Sequence, residues 1–133
     1  MQDRTLFFLG SIEHSLNIQI QMNWEDAQEC LTFVPNYNRF TGELAKDILK
    51  AADKVLPKNT FSGERDFDII IGREGSMVMY LKRRFFREME ITSDEDINTL
   101  IRYAKDHGLA DEAEYNIKGR GGFTEETFRF WWD

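Results

Sequence analysis

A chain of 133 residues with a net charge of −7 is long enough to bury one core of its own. It is too acidic for a general binder of nucleic-acid phosphates or anionic membranes, because both need concentrated positive charge. Its 41% hydrophobic and 14% aromatic content excludes a disordered chain; the aromatics are expected mainly to fill the core, with any surplus able to reach the surface as interface anchors.

In chain order, the apolar run Leu6 to Leu9 is too short for a signal-peptide core or a membrane span, so no membrane is expected as a partner. Thr5 to Leu9 reads as a first strand followed by a polar connection through Ser15, or equally as one strand running to His14. Next, Leu16, Ile18, Ile20 and Met22 alternate with Asn17, Gln19, Gln21 and Asn23, the pattern of a half-buried antiparallel strand. Trp24 to Leu31 fits either a helical turn or a strand, and Leu31 to Val34 reads as extended up to Pro35. Thr41 is placed to cap a helix from Gly42 to Leu56, with Leu44, Ile48, Ala52, Val55 and Leu56 on one face and Pro57 ending it.

Phe67 to Arg87 reads as a long β-hairpin turning at Gly72-Arg73-Glu74-Gly75. Both of its faces are apolar near the turn, as in a strand pair covered on two sides or lying against a partner. Thr92 and Glu95 have the spacing of a capping box for a second helix running to about His107. Ile97, Leu100, Ile101 and Ala104 would form its stripe, with Gly108 as a left-handed cap and Leu109 as the accompanying contact. Tyr115 to Lys118 and Thr124 to Trp132 read as two last strands around Gly119-Arg120-Gly121-Gly122. The expectation is one α+β domain over residues 1–133, with a mainly antiparallel sheet of about five to seven strands and two amphipathic helices packed on it.

No catalytic motif emerges. A single cysteine, Cys30, and two separated histidines, His14 and His107, allow neither an internal disulfide nor a metal-ligand spacing. A reducing cytoplasm and no cofactor or metal are therefore expected. His14 lies near Ser11 and Ser15 without a triad or nucleophile-elbow pattern around it. Lys82, Arg83, Arg84 and Arg87 surround Phe85 and Phe86, but strand alternation sends them to opposite faces. Pairing with carboxylates of the same chain is the expected use, with no direct binding of nucleic acid. The Gly119 to Gly122 loop has neither phosphate-loop nor dinucleotide spacing and reads as a hairpin turn.

What remains is an acidic, aromatic-rich surface. It suits a small cytoplasmic binding protein, an inhibitor of the immunity or anti-defence kind, that occludes a basic partner such as a nuclease or nucleic-acid-binding complex. Asp94, Glu95, Asp96, Asp111, Glu112 and Glu114 are the steering acids of that reading, and Trp24, Trp131 and Trp132 its anchors. Two alternatives stand beside it. One is a small enzyme or binding module for a nucleotide or phosphorylated ligand, built on His14, Arg84 and the Gly119 to Gly122 loop. The other is a structural module whose two-sided hairpin forms a homodimer.

Overall fold

The computed structural model describes residues 3–12, 15–58, 67–86 and 91–133. In chain order its elements are α1 (Asp3–Ser11), β1 (Asn17–Met22), α2 (Trp24–Phe33), α3 (Gly42–Val55), β2 (Asp68–Glu74), β3 (Ser76–Phe85), α4 (Asp94–Asp106), β4 (Glu112–Arg120) and β5 (Phe123–Trp131). The strands form one antiparallel five-stranded sheet in the order β1-β2-β3-β5-β4. The fold is therefore α+β with an antiparallel sheet, carrying four helices among the described residues where the sequence suggests two. After β3 the chain crosses through α4 to the far edge, and β5 then returns to fill the gap between β3 and β4.

Strand alternation assigns each side chain to a face. Ile20, Ile71, Met79, Phe130 and Ala113 align across the strands, as do Met22, Ile69, Leu81, Phe128 and Tyr115. These rows join Phe8 of α1, Ala27, Cys30 and Leu31 of α2, Ala45, Ile48, Leu49 and Ala52 of α3, and Leu100 and Ala104 of α4 in one core. All four helices thus pack on one side of the sheet, and the second face has no described helix over it.

α1 replaces the expected first strand. Four consecutive apolar residues carry no period, and the burial supplies it: Phe8 and Ile12, four apart, are buried while Leu6 and Phe7 are exposed. α2 settles the ambiguous stretch and runs through Phe33, so Leu31 to Phe33 is helical and not extended. Asn23 caps it by accepting a hydrogen bond from the Asp26 amide at 2.8 Å, and Ala27, Cys30 and Leu31 form its buried stripe. α3 matches expectation, with the Thr41 hydroxyl accepting from the Leu44 amide at 3.2 Å.

The hairpin turn is tighter than the spacing suggests. Glu74 pairs with Ser76 across Gly75 alone, whose φ of 74° favours glycine, and Gly72 and Arg73 belong to the strand. At the second helix, Ser93 is the cap, accepting from the Asp96 amide at 3.2 Å, and the left-handed residue after it is Leu109, not Gly108. Gly108 is needed for space instead: a Cβ there would lie 2.5 Å from Ile48 Cδ1 and 2.7 Å from the Ala104 carbonyl oxygen. Phe67 packs against the core just before β2, which begins at Asp68; Arg87 lies outside the described residues.

Gly72 sets how closely β1 approaches β2. A Cβ on it would stand 1.9 Å from the Ile18 carbonyl oxygen, a backbone atom that cannot move without breaking the pairing. Gly72→Ala should therefore cost about 1–3 kcal/mol in urea denaturation. An unchanged midpoint would mean that β1 has room to shift.

Candidate partner-binding face

The second face of the sheet is built by the residues that alternate with the core. Gln21, Ile70, Tyr80, Arg129 and Glu114 form one row across it, and Gln19, Gly72, Val78, Trp131 and Glu112 the next. Trp131 is half-buried and donates its indole N–H to the Glu74 carbonyl oxygen at 3.0 Å. Tyr80 donates its hydroxyl to the Glu74 carboxylate. Arg129 joins the two rows, donating from Nε to Glu74 at 3.2 Å and from Nη1 to Glu112 at 3.0 Å, with Glu114 at 3.9 Å. Burial opposes the Arg129 charge, but the bonds to Glu112 and Glu74 outweigh it and hold the guanidinium firmly protonated. These bonds hold Tyr80 and Trp131 to Glu74, and Tyr80 and Arg129 also line a shallow depression of about 390 Å³ with Glu114, Tyr115, Asn116 and Thr127.

A second aromatic station lies at the other end of the face. Phe86 is 84% exposed and meets Phe123 edge-on, with ring centroids 6.3 Å apart. The Arg84 guanidinium sits 5.7 Å from the Phe123 ring centre and donates to Glu125 at 3.0 Å.

The tryptophans expected as anchors separate by strand parity and helix position. Trp131 reaches this face. Trp132, its neighbour, points the opposite way, is wholly buried, and donates to the Gly108 carbonyl at 2.7 Å beside Phe40, so it is a core residue and not an anchor. Trp24 opens α2 and packs partly buried on the core, edge-on to Phe67 at 6.3 Å, which removes it from the face as well.

Of the six acids, Glu112 and Glu114 belong to edge strand β4, Asp111 precedes it, and Asp94, Glu95 and Asp96 open α4. Asp94, Glu95 and Asp96 occupy the first turn of α4, where the helix dipole favours them, and no ion pair engages them among the described residues. Asp94 is near enough to β4 for its charge to contribute to the raised Tyr115 pKa. Asp111 pairs with Arg39 at 2.8 Å at the start of the strand, while Glu112 and Glu114 flank Arg129 on the open face. Asp94, Glu95, Asp96 and the exposed Glu114 leave this margin negative.

The basic cluster divides as alternation requires. Arg84 stays outside with Glu125, and Arg83 turns inward to the wholly buried Glu126. The Glu126 carboxylate also accepts from the Thr92 amide at 3.1 Å, the Thr92 hydroxyl at 3.0 Å and the Tyr115 hydroxyl. It therefore ties β3, β4 and β5 to the start of α4. The signal for Glu126 was its parity: it shares the inner face with Phe128 and Phe130, which no solvated glutamate would do.

Among the described residues no nucleophile paired with an acid–base group gathers around the remaining candidates. His14 lies outside the described residues. His107 is hydrogen-bonded to Asp47 at 2.9 Å and stacks on Tyr103 at 4.8 Å. Gly121 and Gly122, with φ of 51° and 90°, make the turn between β4 and β5. Burial pushes the Cys30 thiol pKa up to about 12, which keeps it from forming a thiolate. Among the described residues no group of three metal-ligating side chains occurs, and no helix is long and apolar enough to cross a membrane. Comparison with family models, curated proteins and solved structures finds no match to this chain.

Removing the carboxylate that so many donors share should be costly. Glu126→Ala is expected to lose about 3–5 kcal/mol, against about 1 kcal/mol or less for Glu125→Ala, whose partner Arg84 reaches solvent. Equal losses in denaturant titrations would refute the anchoring role of Glu126. The tyrosines add a pH signature. Burial, then the Glu126 and Glu74 contacts, raises the pKa of Tyr115 and Tyr80 above the ordinary phenol value of 10.0. A pKa raised by folding means that the unfolded phenol ionises first. Their contribution is complete below the ordinary value and is lost as pH rises through it towards the folded value. Stability should accordingly fall above about pH 10, less steeply in Tyr115→Phe.

Proposed function

We propose that this protein is a small acidic binding protein, of the inhibitor, immunity or anti-defence kind, that occludes a basic partner with the open face of its sheet. The observation that carries this reading is the one-sided packing of the helices. It leaves a sheet face bearing held aromatics, Trp131 and Tyr80, and a protruding one, Phe86, with a negative margin along β4. Large aromatic side chains on an otherwise polar surface are what interface anchors require. The acids at the start of α4, which have no ion pair among the described residues, supply long-range attraction for a positive surface and repel nucleic acid. The partner class is therefore a protein whose own working surface is basic because it handles phosphates, such as a nuclease or nucleic-acid-binding assembly.

The test uses tagged protein in nuclease-treated lysate of its host, followed by binding kinetics on whatever is captured. A basic protein held in stoichiometric amount and released at high salt is expected. Asp94→Lys, Glu95→Lys and Asp96→Lys together should slow association roughly ten-fold and flatten its salt dependence. Phe86→Ala, a change at an exposed position, should instead speed dissociation. Capture of no basic protein, or association unaltered in rate and salt dependence by the triple reversal, would overturn the proposal.

A further inference from the structure

The two inward-facing arginines of the hairpin are treated differently. Arg83 has the Glu126 carboxylate, whereas Arg73, only 5% exposed, meets neutral acceptors: the carbonyl oxygens of Ile12 and Gly75 and the Tyr37 hydroxyl, each at 2.8 Å. No carboxylate pairs with Arg73 among the described residues. A guanidinium withdrawn from water without a counter-charge is unfavourable unless something else compensates it. The Tyr37 ring, 4.8 Å from the guanidinium carbon, does so in part.

Arg73 also lines a cavity of about 260 Å³, together with Ile12, Pro35, Tyr37 and Met77. Among the described residues that line it, Ile12, Pro35 and Met77 contribute apolar side chains and Arg73 and Tyr37 the polar ones. Because the Tyr37 hydroxyl accepts its bond from Arg73, its own proton is free to donate to something else. Cation, hydroxyl donor and apolar walls thus converge on one space. It lies on the helix side of the sheet, whereas the proposed partner surface is on the opposite face, so the two do not depend on each other.

We infer that this cavity binds a small organic monocarboxylate, with the carboxylate towards Arg73 and the Tyr37 hydroxyl and a short apolar body against Ile12, Pro35 and Met77. One buried cation matches one negative charge, and the apolar walls disfavour a phosphate dianion, which needs several donors and retained water. The volume lies just below the usual range of roughly 300–1,000 Å³ for small-molecule sites, so the ligand is shorter than a drug-sized compound.

Isovalerate and benzoate are the probes, titrated into the full chain and followed by amide chemical shifts, with isovaleramide and inorganic phosphate as controls. Saturable shifts at Tyr37, Arg73 and Gly75 with at least one carboxylate, and none with the amide or phosphate, are expected. Arg73→Met, which replaces the cation with an apolar chain of similar reach, should abolish binding. Should that variant not fold, Tyr37→Phe, a change at a partly exposed ring, is expected to weaken binding roughly ten-fold through the lost charge-assisted hydrogen bond. No saturable binding of either carboxylate, equal binding of the amide, or affinity unchanged in the folded variant would overturn the assignment.

Discussion

Pairing of Met79 with Phe130 and of Leu81 with Phe128 holds β3 against β5 at the centre of the sheet, and that register assigns every neighbouring side chain to one face or the other. A slip of one residue would carry Arg129 and Trp131 into the core and send Phe128 and Phe130 to solvent. Packing of the helices depends on it, since the rows they cover are those that contain these pairs. The open face depends on it equally, because Tyr80, Arg129 and Trp131 are placed by the same alternation in reverse. The crossover through α4 adds the second constraint: it puts β4 on the rim, where Glu112 and Glu114 have no strand beyond them among the described residues.

Charge is spent in distinct ways across the molecule. Glu126 and Arg83 use it inside, where the pair ties the start of α4 to the sheet and where either group alone would be a liability. Glu74, Arg129 and Glu112 use it on the open face, to hold aromatic side chains still rather than to add stability, which half-exposed pairs rarely do. The acids of α4 are left facing water and account for the long-range field on which the proposed steering relies. Arg73 has no carboxylate partner among the described residues, and the ligand inferred for the cavity beside it would answer its buried charge.

The parts of the fold legible in the sequence are those with a sustained period. Ile18 to Met22 could be read as a strand, Gly42 to Leu56 as a helix and the hairpin from Phe67 as a hairpin because each repeats its pattern over several residues. α1 and α2 were not legible for opposite reasons. In α1 four adjacent apolar residues mask the spacing of Phe8 and Ile12, and in α2 the buried stripe is made of Ala27, Cys30 and Leu31, two of them too small to mark a face. The separation of Arg83 from Arg84 followed from alternation alone; the same rule applied to Trp131 and Trp132 would have placed only one of them at the surface.

The sequence by itself determined the class of secondary structure wherever period and capping agree, the acidity of the chain, and the absence of any motif that carries known chemistry, because these depend on neighbours along the chain. Only the tertiary structure decided that the helices share one side, that Asp94 comes near β4 alongside Glu112 and Glu114, and that Glu126 answers Arg83 across 43 positions. It alone also placed Ile12, Tyr37 and Arg73 around one cavity. Those facts depend on strand order and register, which are set by burial summed over the whole core and leave no trace in the spacing of the residues concerned.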